Sequence, residues 1–216
     1  MALDAVAMKM IAGRVRGAAI LCLGYPDITA SREAILELLR VEPTEFTNHG
    51  ADHKVARRLP ETLHTFSLAG AAAVDVVDAM PSRGCERQVD LNERQTWPRE
   101  YDLVINPGTL EHCFDVATAM FNAWRALRPG GAVLHVAPMT MLNHGFWNFS
   151  PTAIEDFASA NGGRVVHIQA RDREARKVPI DPVRRFRAAP EAVLYAVVEK
   201  TESVPETIPV QWRYRQ

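Results

Sequence analysis

Two histidines stand where the sequence could support acid–base chemistry. His144 begins the segment 144–148, in which a glycine allows a turn and two aromatic residues could form the wall of a pocket. Imidazole titrates near neutrality, so a positioned histidine is suited to act as a general base. His112 follows Glu111 just after a predicted strand and is the second candidate. The alternative for both histidines is a structural role. Glu111 is interpreted as structural, because an acid is favoured near a helix N-terminus.

A second candidate site is the turn that follows the first predicted strand. The apolar run 18–23 ends at Gly24, and a helix-like stretch begins soon afterwards. Nucleotide-binding α/β proteins usually place a glycine-rich loop at this point. Here the chain continues as Tyr25-Pro26-Asp27, and proline has no N–H to donate to a ligand. The segment therefore predicts either an unusual ligand-binding turn or an ordinary tight turn between strand and helix.

Two further clusters are candidate ligand sites. His49 and His53 have the spacing of neighbours on a helix, but no third metal ligand has convincing spacing, so a solvated polar face is favoured and no metal site is predicted. The segment 164–187 carries eight arginines and lysines against three acids. It could bind an anionic substrate such as a phosphate-bearing sugar or nucleotide, although a charged loop is the favoured interpretation.

These candidates need a scaffold, and the hydrophobic pattern predicts an α/β fold. Seven strand-like runs alternate with helical patterns over most of the chain, at 18–23, 74–78, 87–91, 101–105, 132–137, 165–168 and 192–198. Such alternation is typical of a mostly parallel, doubly wound sheet covered by helices. No crossover helix is evident between the last two runs, so they are predicted to pair antiparallel. Ligands of such folds bind at the carboxyl ends of the strands.

The composition is that of one globular domain. The chain has 216 residues, of which 47% are hydrophobic and 24% charged, with a net charge of −1, so neither nucleic acid nor an anionic membrane is indicated as a partner. No membrane span and no signal peptide are predicted. Three scattered cysteines indicate a reducing cytoplasm. We predict one domain over residues 1–200, with a helical insertion at about 41–70, and an irregular tail at 201–216.

The segment 101–137 carries a recognisable combination of motifs: YDLV in a strand, LEH after it, and LRPGG at the end of the next helix. This combination resembles the class I S-adenosylmethionine-dependent methyltransferases, in particular the type 11 group. The segment 143–163 resembles the region after the fifth strand in a bacterial branch of these enzymes, and weaker similarity covers residues 18–200. The resemblance implies a Rossmann-like methyltransferase fold with seven strands, the last antiparallel, and S-adenosylmethionine as cofactor.

The turn after the first strand departs from the pattern of this family. The family has an acid where this chain has Cys22 and a glycine where it has Pro26, whereas Gly24 is kept. The resemblance places Gly24 and Tyr25 against the methionine part of the cofactor. Asp27 could supply a substitute carboxylate for the cofactor's ammonium group.

Acids at two further strand ends complete the predicted nucleoside site. Asp78 ends the second strand, and its carboxylate could accept hydrogen bonds from both ribose hydroxyls. The resemblance assigns Asp90 to the adenine amino group and Leu91 to the face of the adenine ring. The alternative for both aspartates is an ordinary place in an exposed loop.

The fourth strand ends in Asn106-Pro107-Gly108. In the family, backbone carbonyls at this point commonly hold the ammonium group of the cofactor. The same residues faintly resemble the NPP-aromatic motif of methyltransferases that act on amino groups of nucleic-acid bases. The third position and the aromatic residue of that motif are absent, so this interpretation receives little weight.

The predicted function is methyl transfer from S-adenosylmethionine to a small-molecule acceptor, at a hydroxyl, with no nucleic-acid or membrane partner. The acceptor could be anionic or sugar-like, and the oligomeric state is not predicted. An in-line displacement needs close alignment and removal of a proton, for which His144 is the first candidate and His112 the second. The alternative is a catalytically inactive, methyltransferase-like binding or scaffold subunit, which the eroded glycine turn favours. A nicotinamide-dependent oxidoreductase is disfavoured because the chain has no G-x-G-x-x-G.

Overall fold

An eight-stranded sheet forms the central layer of the chain, for which the computed structural model describes residues 2–42, 46–48 and 58–214. The strands of this sheet are β1 (Ala19–Leu23), β4 (Ala73–Asp78), β5 (Arg87–Gln88), β6 (Tyr101–Asn106), β7 (Leu127–Pro138), β8 (Gly163–Arg171), β9 (Lys177–Val178) and β10 (Val193–Lys200). Two short strands, β2 (Phe46–Asn48) and β3 (Arg58–Pro60), form a separate antiparallel pair.

The strand order is β5-β4-β1-β6-β7-β10-β8-β9. β1 pairs in parallel with β4 on one side and with β6 on the other, so the order of the strands reverses beside β1. In open α/β sheets, a ligand crevice lies outside the carboxyl ends of the strands at such a point. β10 runs antiparallel to both β7 and β8. The predicted doubly wound sheet is confirmed, and its extra strand is the two-residue β9, which is too short to show a hydrophobic period.

Five helices in the described chain flank the sheet: α1 (Ala5–Ile11), α2 (Arg32–Leu39), α3 (Thr62–Leu68), α4 (Val116–Ala126) and α5 (Pro151–Ala160). Serine side chains cap two of these helices. Ser31 Oγ accepts the N–H of Ala34 at 3.2 Å, and Ser150 Oγ accepts the N–H of Thr152 at 3.3 Å. These bonds satisfy amide groups that have no partner within the helix, and they fix where α2 and α5 begin.

The hydrophobic core lies in two layers, one on each face of the sheet. Along β1, Leu21 and Leu23 point into the layer with α4 and α5, whereas Ile20 and Cys22 point into the layer with α1 and α2. All four side chains are fully buried, as expected for a parallel sheet covered on both faces. Burial raises the pKa of the Cys22 thiol. Cys22 is therefore a neutral core residue at the position where the resembling family has an acid.

Two regions outside the regular α/β alternation differ in character. In its described part, the segment 41–70 contains the pair β2–β3 as well as the helix α3. The tail after residue 200 has no strand among its described residues and one 3-10 turn, Trp212–Tyr214. The Asn161 amide exchanges hydrogen bonds of 2.8 and 3.0 Å with the backbone of Thr207, which attaches the tail to the end of α5. No described helix is long and apolar enough to cross a membrane.

Candidate functional site

A cleft of about 330 Å³ opens at the carboxyl ends of β1, β4 and β6, where the strand order reverses. Most of the predicted site residues line this cleft: Gly24, Tyr25, Asp78, Asp90, Leu91, Pro107, Gly108 and His112. Asp27, Asn106 and His144 are not among its lining residues. The fold therefore brings together at these strand ends residues that are as much as 88 positions apart in the chain.

The wall below the cleft is formed by the backbone of Gly24. This glycine has φ +78, in the left-handed region that other residues rarely adopt. A Cβ atom at this position would lie 2.5 Å from Thr109 Oγ1. Thr109 in turn donates its hydroxyl proton to the carbonyl of Leu23. The ends of β1 and β6 are thus joined by a contact that only a glycine at position 24 permits.

Asp78 presents a carboxylate with spare hydrogen-bonding capacity. Its Oδ1 accepts the N–H of Met80 at 2.9 Å. Its Oδ2 lies 3.8 Å from the point where a Cβ of Gly24 would stand, and no described residue donates a hydrogen bond to it. The side chain therefore faces the glycine turn and can accept the hydroxyls of a bound ligand.

Asp90 and Leu91 combine an acceptor with an apolar surface. Asp90 Oδ1 accepts hydrogen bonds from the backbone N–H of Asn92 at 2.9 Å and from its side-chain amide at 2.7 Å. These bonds hold the pKa of the Asp90 carboxyl below its usual value, so it is ionised at neutral pH. Leu91 is 5% exposed. A planar ring could pack on this side chain while its polar edge meets the carboxylate.

Asp27 is paired with an arginine instead of lining the cleft. Its Oδ1 lies 3.0 Å from Nη1 of Arg83, and its Oδ2 lies 3.2 Å from Nη2. The Arg83 guanidinium also lies 4.2 Å from the centre of the Tyr25 ring, and the Tyr25 hydroxyl donates to Glu61. Asp27 thus supports Arg83, which packs on the one side chain of the turn that does line the cleft.

Asn106 shapes the turn after β6 from within the protein. It is fully buried, and its Oδ1 accepts the N–H groups of Thr109 and Leu110 at 2.9 and 3.2 Å. Its Nδ2 lies 3.4 Å from Nδ1 of His135. The asparagine side chain is therefore occupied with local structure, while the adjoining Pro107 and Gly108 face the cleft.

Glu111, His112 and His144 converge beside the cleft, which His112 lines. Glu111 is fully buried, and its Oε1 lies 3.6 Å from Nε2 of His144 and 4.0 Å from Nε2 of His112. The two imidazole rings are 5.4 Å apart. Burial raises the pKa of Glu111 to about 7 and lowers the pKa of each histidine. His112 lines the cleft, whereas His144 lines a separate cavity next to Met141 and Glu191, and Glu111 lines neither of the two.

Backbone contacts hold the segment 144–147 against the turn Leu110–His112. The N–H of Phe146 donates to the carbonyl of Glu111 at 2.8 Å, and Trp147 Nε1 donates to the carbonyl of Cys113 at 3.1 Å. Gly145 permits this approach, because a Cβ there would lie 2.7 Å from the Glu111 carbonyl oxygen. Phe146 and Trp147 are 64% and 41% exposed. The aromatic residues that the sequence predicts as a pocket wall therefore form an open apolar surface.

Of the two other clusters, the structure describes only the basic segment. His49 and His53 fall outside the residues that the structure describes. In the basic segment, Arg176 pairs with Asp172 at 2.7 Å and Arg164 with Glu199 at 3.2 Å. Arg184 and Arg185 line a separate cavity at the start of α5, which shares no lining residue with the cleft.

Two residues of the site have a significance that sequence reasoning missed. Thr109 lines the cleft and contacts the Gly24 turn. Glu111 lies close to two histidines, whereas its position in the sequence indicates only an acid near a helix end. In the sequence, only the LEH motif pointed to a functional role for Glu111. The contact between Glu111 and residue 144 depends on the fold.

Comparisons with known proteins bear on the fold. No protein-family model and no curated protein matches the chain. Among solved structures, the 1,6-didemethyltoxoflavin-N1-methyltransferase of Burkholderia thailandensis, which contains S-adenosylhomocysteine, matches with a TM-score of 0.53 and 16% identity over 92% of this chain and 77% of its own.

Two more distant matches are a candidate RNA methyltransferase of Pyrococcus horikoshii (TM-score 0.48, 14% identity, 92% of this chain and 83% of its own) and an S-adenosylmethionine-dependent methyltransferase of Mesorhizobium loti (0.38, 20%, 82% and 64%). At such identities the likeness concerns the fold alone. The fold is that of the class I methyltransferases, as the sequence predicts.

Proposed function

We propose that the protein transfers a methyl group from S-adenosylmethionine to a small-molecule acceptor, at a hydroxyl oxygen. The observation that carries this proposal is the cleft, in which the Gly24 turn, Asp78 and the pair Asp90–Leu91 meet at the strand-order reversal. The Burkholderia enzyme with the same fold contains S-adenosylhomocysteine, which supports a cofactor of this class.

In this proposal each strand end contacts one part of the cofactor. Asp78 accepts the ribose hydroxyls, because its Oδ2 receives no hydrogen bond from a described residue and faces the glycine turn. Asp90 accepts from the adenine amino group, and Leu91 packs on the ring. The backbone at Gly24 and at Pro107–Gly108 contacts the amino-acid part. Asp27 is left with a supporting role through Arg83.

The acceptor then lies on the side of His112 and His144. Methyl transfer is an in-line displacement, which depends on alignment of the acceptor and removal of its proton. His112 lines the cleft, and His144 stands within 3.6 Å of the Glu111 carboxylate. Burial lowers the pKa of both imidazoles, so both are neutral at pH 7. Either one can take a proton or orient the acceptor.

A second candidate function is that of a binding subunit without turnover. Pro26 removes one backbone donor from the glycine turn, Cys22 is a buried neutral residue where the resembling family has an acid, and Asp27 is occupied by Arg83. A protein with these features could hold the cofactor, or its product, without catalysing transfer.

Turnover separates the two candidates. The protein is incubated with S-adenosylmethionine and a library of hydroxylated metabolites, nucleotide sugars and total RNA, and formation of S-adenosylhomocysteine is measured. We expect S-adenosylhomocysteine to form when a hydroxylated small molecule is present, and we expect His144→Ala to form none. Methylation of RNA alone would contradict the proposed acceptor class, and the absence of any product would favour the binding subunit.

A further inference from the structure

The cluster Glu111–His112–His144 contains buried polar atoms without hydrogen bonds. Glu111 has no exposed surface, and neither of its carboxylate oxygens is hydrogen-bonded to another described residue. His144 Nε2 is likewise buried and has no hydrogen-bond partner in the described chain. Buried polar atoms in folded proteins nearly always have partners, so these three atoms, two of which (Glu111 Oε1 and His144 Nε2) lie 3.6 Å apart, call for a ligand.

The three side chains form a donor set that is typical of metal centres. One ligand atom from each residue can be chosen so that all of them lie within 4.8 Å of one another. Ligands of a tetrahedral ion, at about 2.0–2.1 Å from it, stand about 3.4 Å apart. The 3.6 Å separation of Glu111 Oε1 and His144 Nε2 is already close to this value. Small side-chain rotations would bring His112 to the same distance, since its imidazole is half exposed.

We propose that Glu111, His112 and His144 bind a divalent first-row transition metal ion at the edge of the cleft, and that the ion orients the acceptor of the methyl group. Two imidazoles and one carboxylate occur in catalytic zinc sites and in non-haem iron sites, both of which keep open positions for a further ligand. The second half of this inference rests on the proposed function. The first half, metal binding, does not.

The fold supplies rigid support for such a centre. The turn Leu110–His112 is fixed by Asn106, which accepts two backbone hydrogen bonds from its start. The segment carrying His144 is fixed by the bond from Phe146 N to the Glu111 carbonyl and by the close approach at Gly145. The ligands therefore come from two segments that are already joined by backbone contacts, which is the preorganisation that a metal site requires.

A cation at this place would change how the acceptor is activated. It would favour loss of the acceptor's hydroxyl proton to water. The oxygen would then form a bond to the methyl carbon, while the S–CH₃ bond breaks and its electron pair returns to sulfur. His144 would orient the acceptor through the ion and would not take the proton itself.

The test is titration of chelator-treated protein with Co²⁺ alone, without cofactor or acceptor, followed by visible absorption. We expect about one equivalent to bind with the intense bands of histidine-ligated Co²⁺, and Zn²⁺ to displace it. Removing a ligand should cost at least about 100-fold in affinity, since loss of a residue one step removed from a metal already costs about 10–100-fold. The variants are Glu111→Gln, His144→Gln and His112→Gln.

Control variants fix the location. His167→Gln on β8 and the double change His49→Gln/His53→Gln should keep full Co²⁺ binding. His112 is half exposed, so His112→Gln tests the site even if the buried variants fail to fold. Absence of stoichiometric binding in the wild type, or undiminished binding in His112→Gln, would overturn the site. Cofactor binding without metal binding refutes this inference and leaves the proposed function intact. Metal binding without cofactor binding refutes the proposed function, and with it the role of the ion in orienting the acceptor, but leaves the metal site intact.

Discussion

Replacing Asp78 with alanine should weaken nucleoside binding by an amount that depends on the ribose hydroxyls. One Asp78 oxygen is bonded to Met80 N at 2.9 Å, and the other accepts from no described residue. The bound ligand would therefore supply one or two charge-assisted hydrogen bonds, of which each contributes about 1.5–3 kcal/mol. Allowing for partial compensation by water, we expect a loss of about 10- to 100-fold in affinity, or about 1.4–2.7 kcal/mol.

Ligand-detected NMR can measure this loss as a cycle. Adenosine and 2′,3′-dideoxyadenosine are titrated into the wild type and Asp78→Ala. The wild type should prefer adenosine by about 10- to 100-fold, and the variant should bind both nucleosides alike. Asp181→Ala is a matched control, because Asp181 also accepts the N–H two residues ahead, at 2.8 Å, and does not line the cleft. If Asp78→Ala weakens both nucleosides equally, its carboxylate does not bind the hydroxyls.

Three further changes test the structure around the cleft. Gly24→Ala should destabilise the fold by about 1–2 kcal/mol from its left-handed backbone alone. In chemical denaturation, Gly24→Ala should cost less stability in a Thr109→Ala background, where the 2.5 Å contact is absent. If the two substitutions have strictly additive effects on stability, that contact is contradicted. Burial lowers the pKa of His135 from 6.5 to about 4. The unfolded chain therefore takes up the proton first, and about 3 kcal/mol of folding stability should be lost as the pH falls from about 6.5 to about 4. The stability of His135→Gln, measured by denaturation, should not show this part of the pH dependence. If the pH dependence of stability is the same in the variant and the wild type, the burial argument is refuted. Asp27→Asn, which weakens the pair with Arg83, should reduce affinity for S-adenosylmethionine and adenosine by the same factor in calorimetry; a larger effect on S-adenosylmethionine would instead place Asp27 at the ammonium group.

The fold was predictable because its signals are local. Along β1 the four fully buried residues read as a continuous apolar run, which is how a strand covered on both faces looks in sequence. Ser31 and Ser150 mark helix starts through bonds to residues only two or three positions away. The two-residue β9 escaped prediction, since two residues show no periodicity.

The candidate site was predictable only in part, because some of its contacts join distant segments. Asp78 and Leu91 could be assigned to the same edge of the sheet from their places at predicted strand ends, because the carboxyl ends of parallel strands meet at one edge. The sequence alone could not show whether Asp27 faces the cleft, since its ion-pair partner Arg83 lies 56 positions further on. Likewise, Glu111 acquires its histidine neighbour at position 144 only when the segment after β7 packs against the turn after β6.

Isothermal titration calorimetry with S-adenosylmethionine and S-adenosylhomocysteine tests the central proposal most directly. The cleft at the strand-order reversal predicts one binding site per chain for each compound, weakened in Asp78→Ala and unchanged in Asp181→Ala. Binding of neither compound by the folded wild type would contradict the proposal that this cleft is a cofactor site. Equal binding by wild type and Asp78→Ala would place the cofactor elsewhere on the protein.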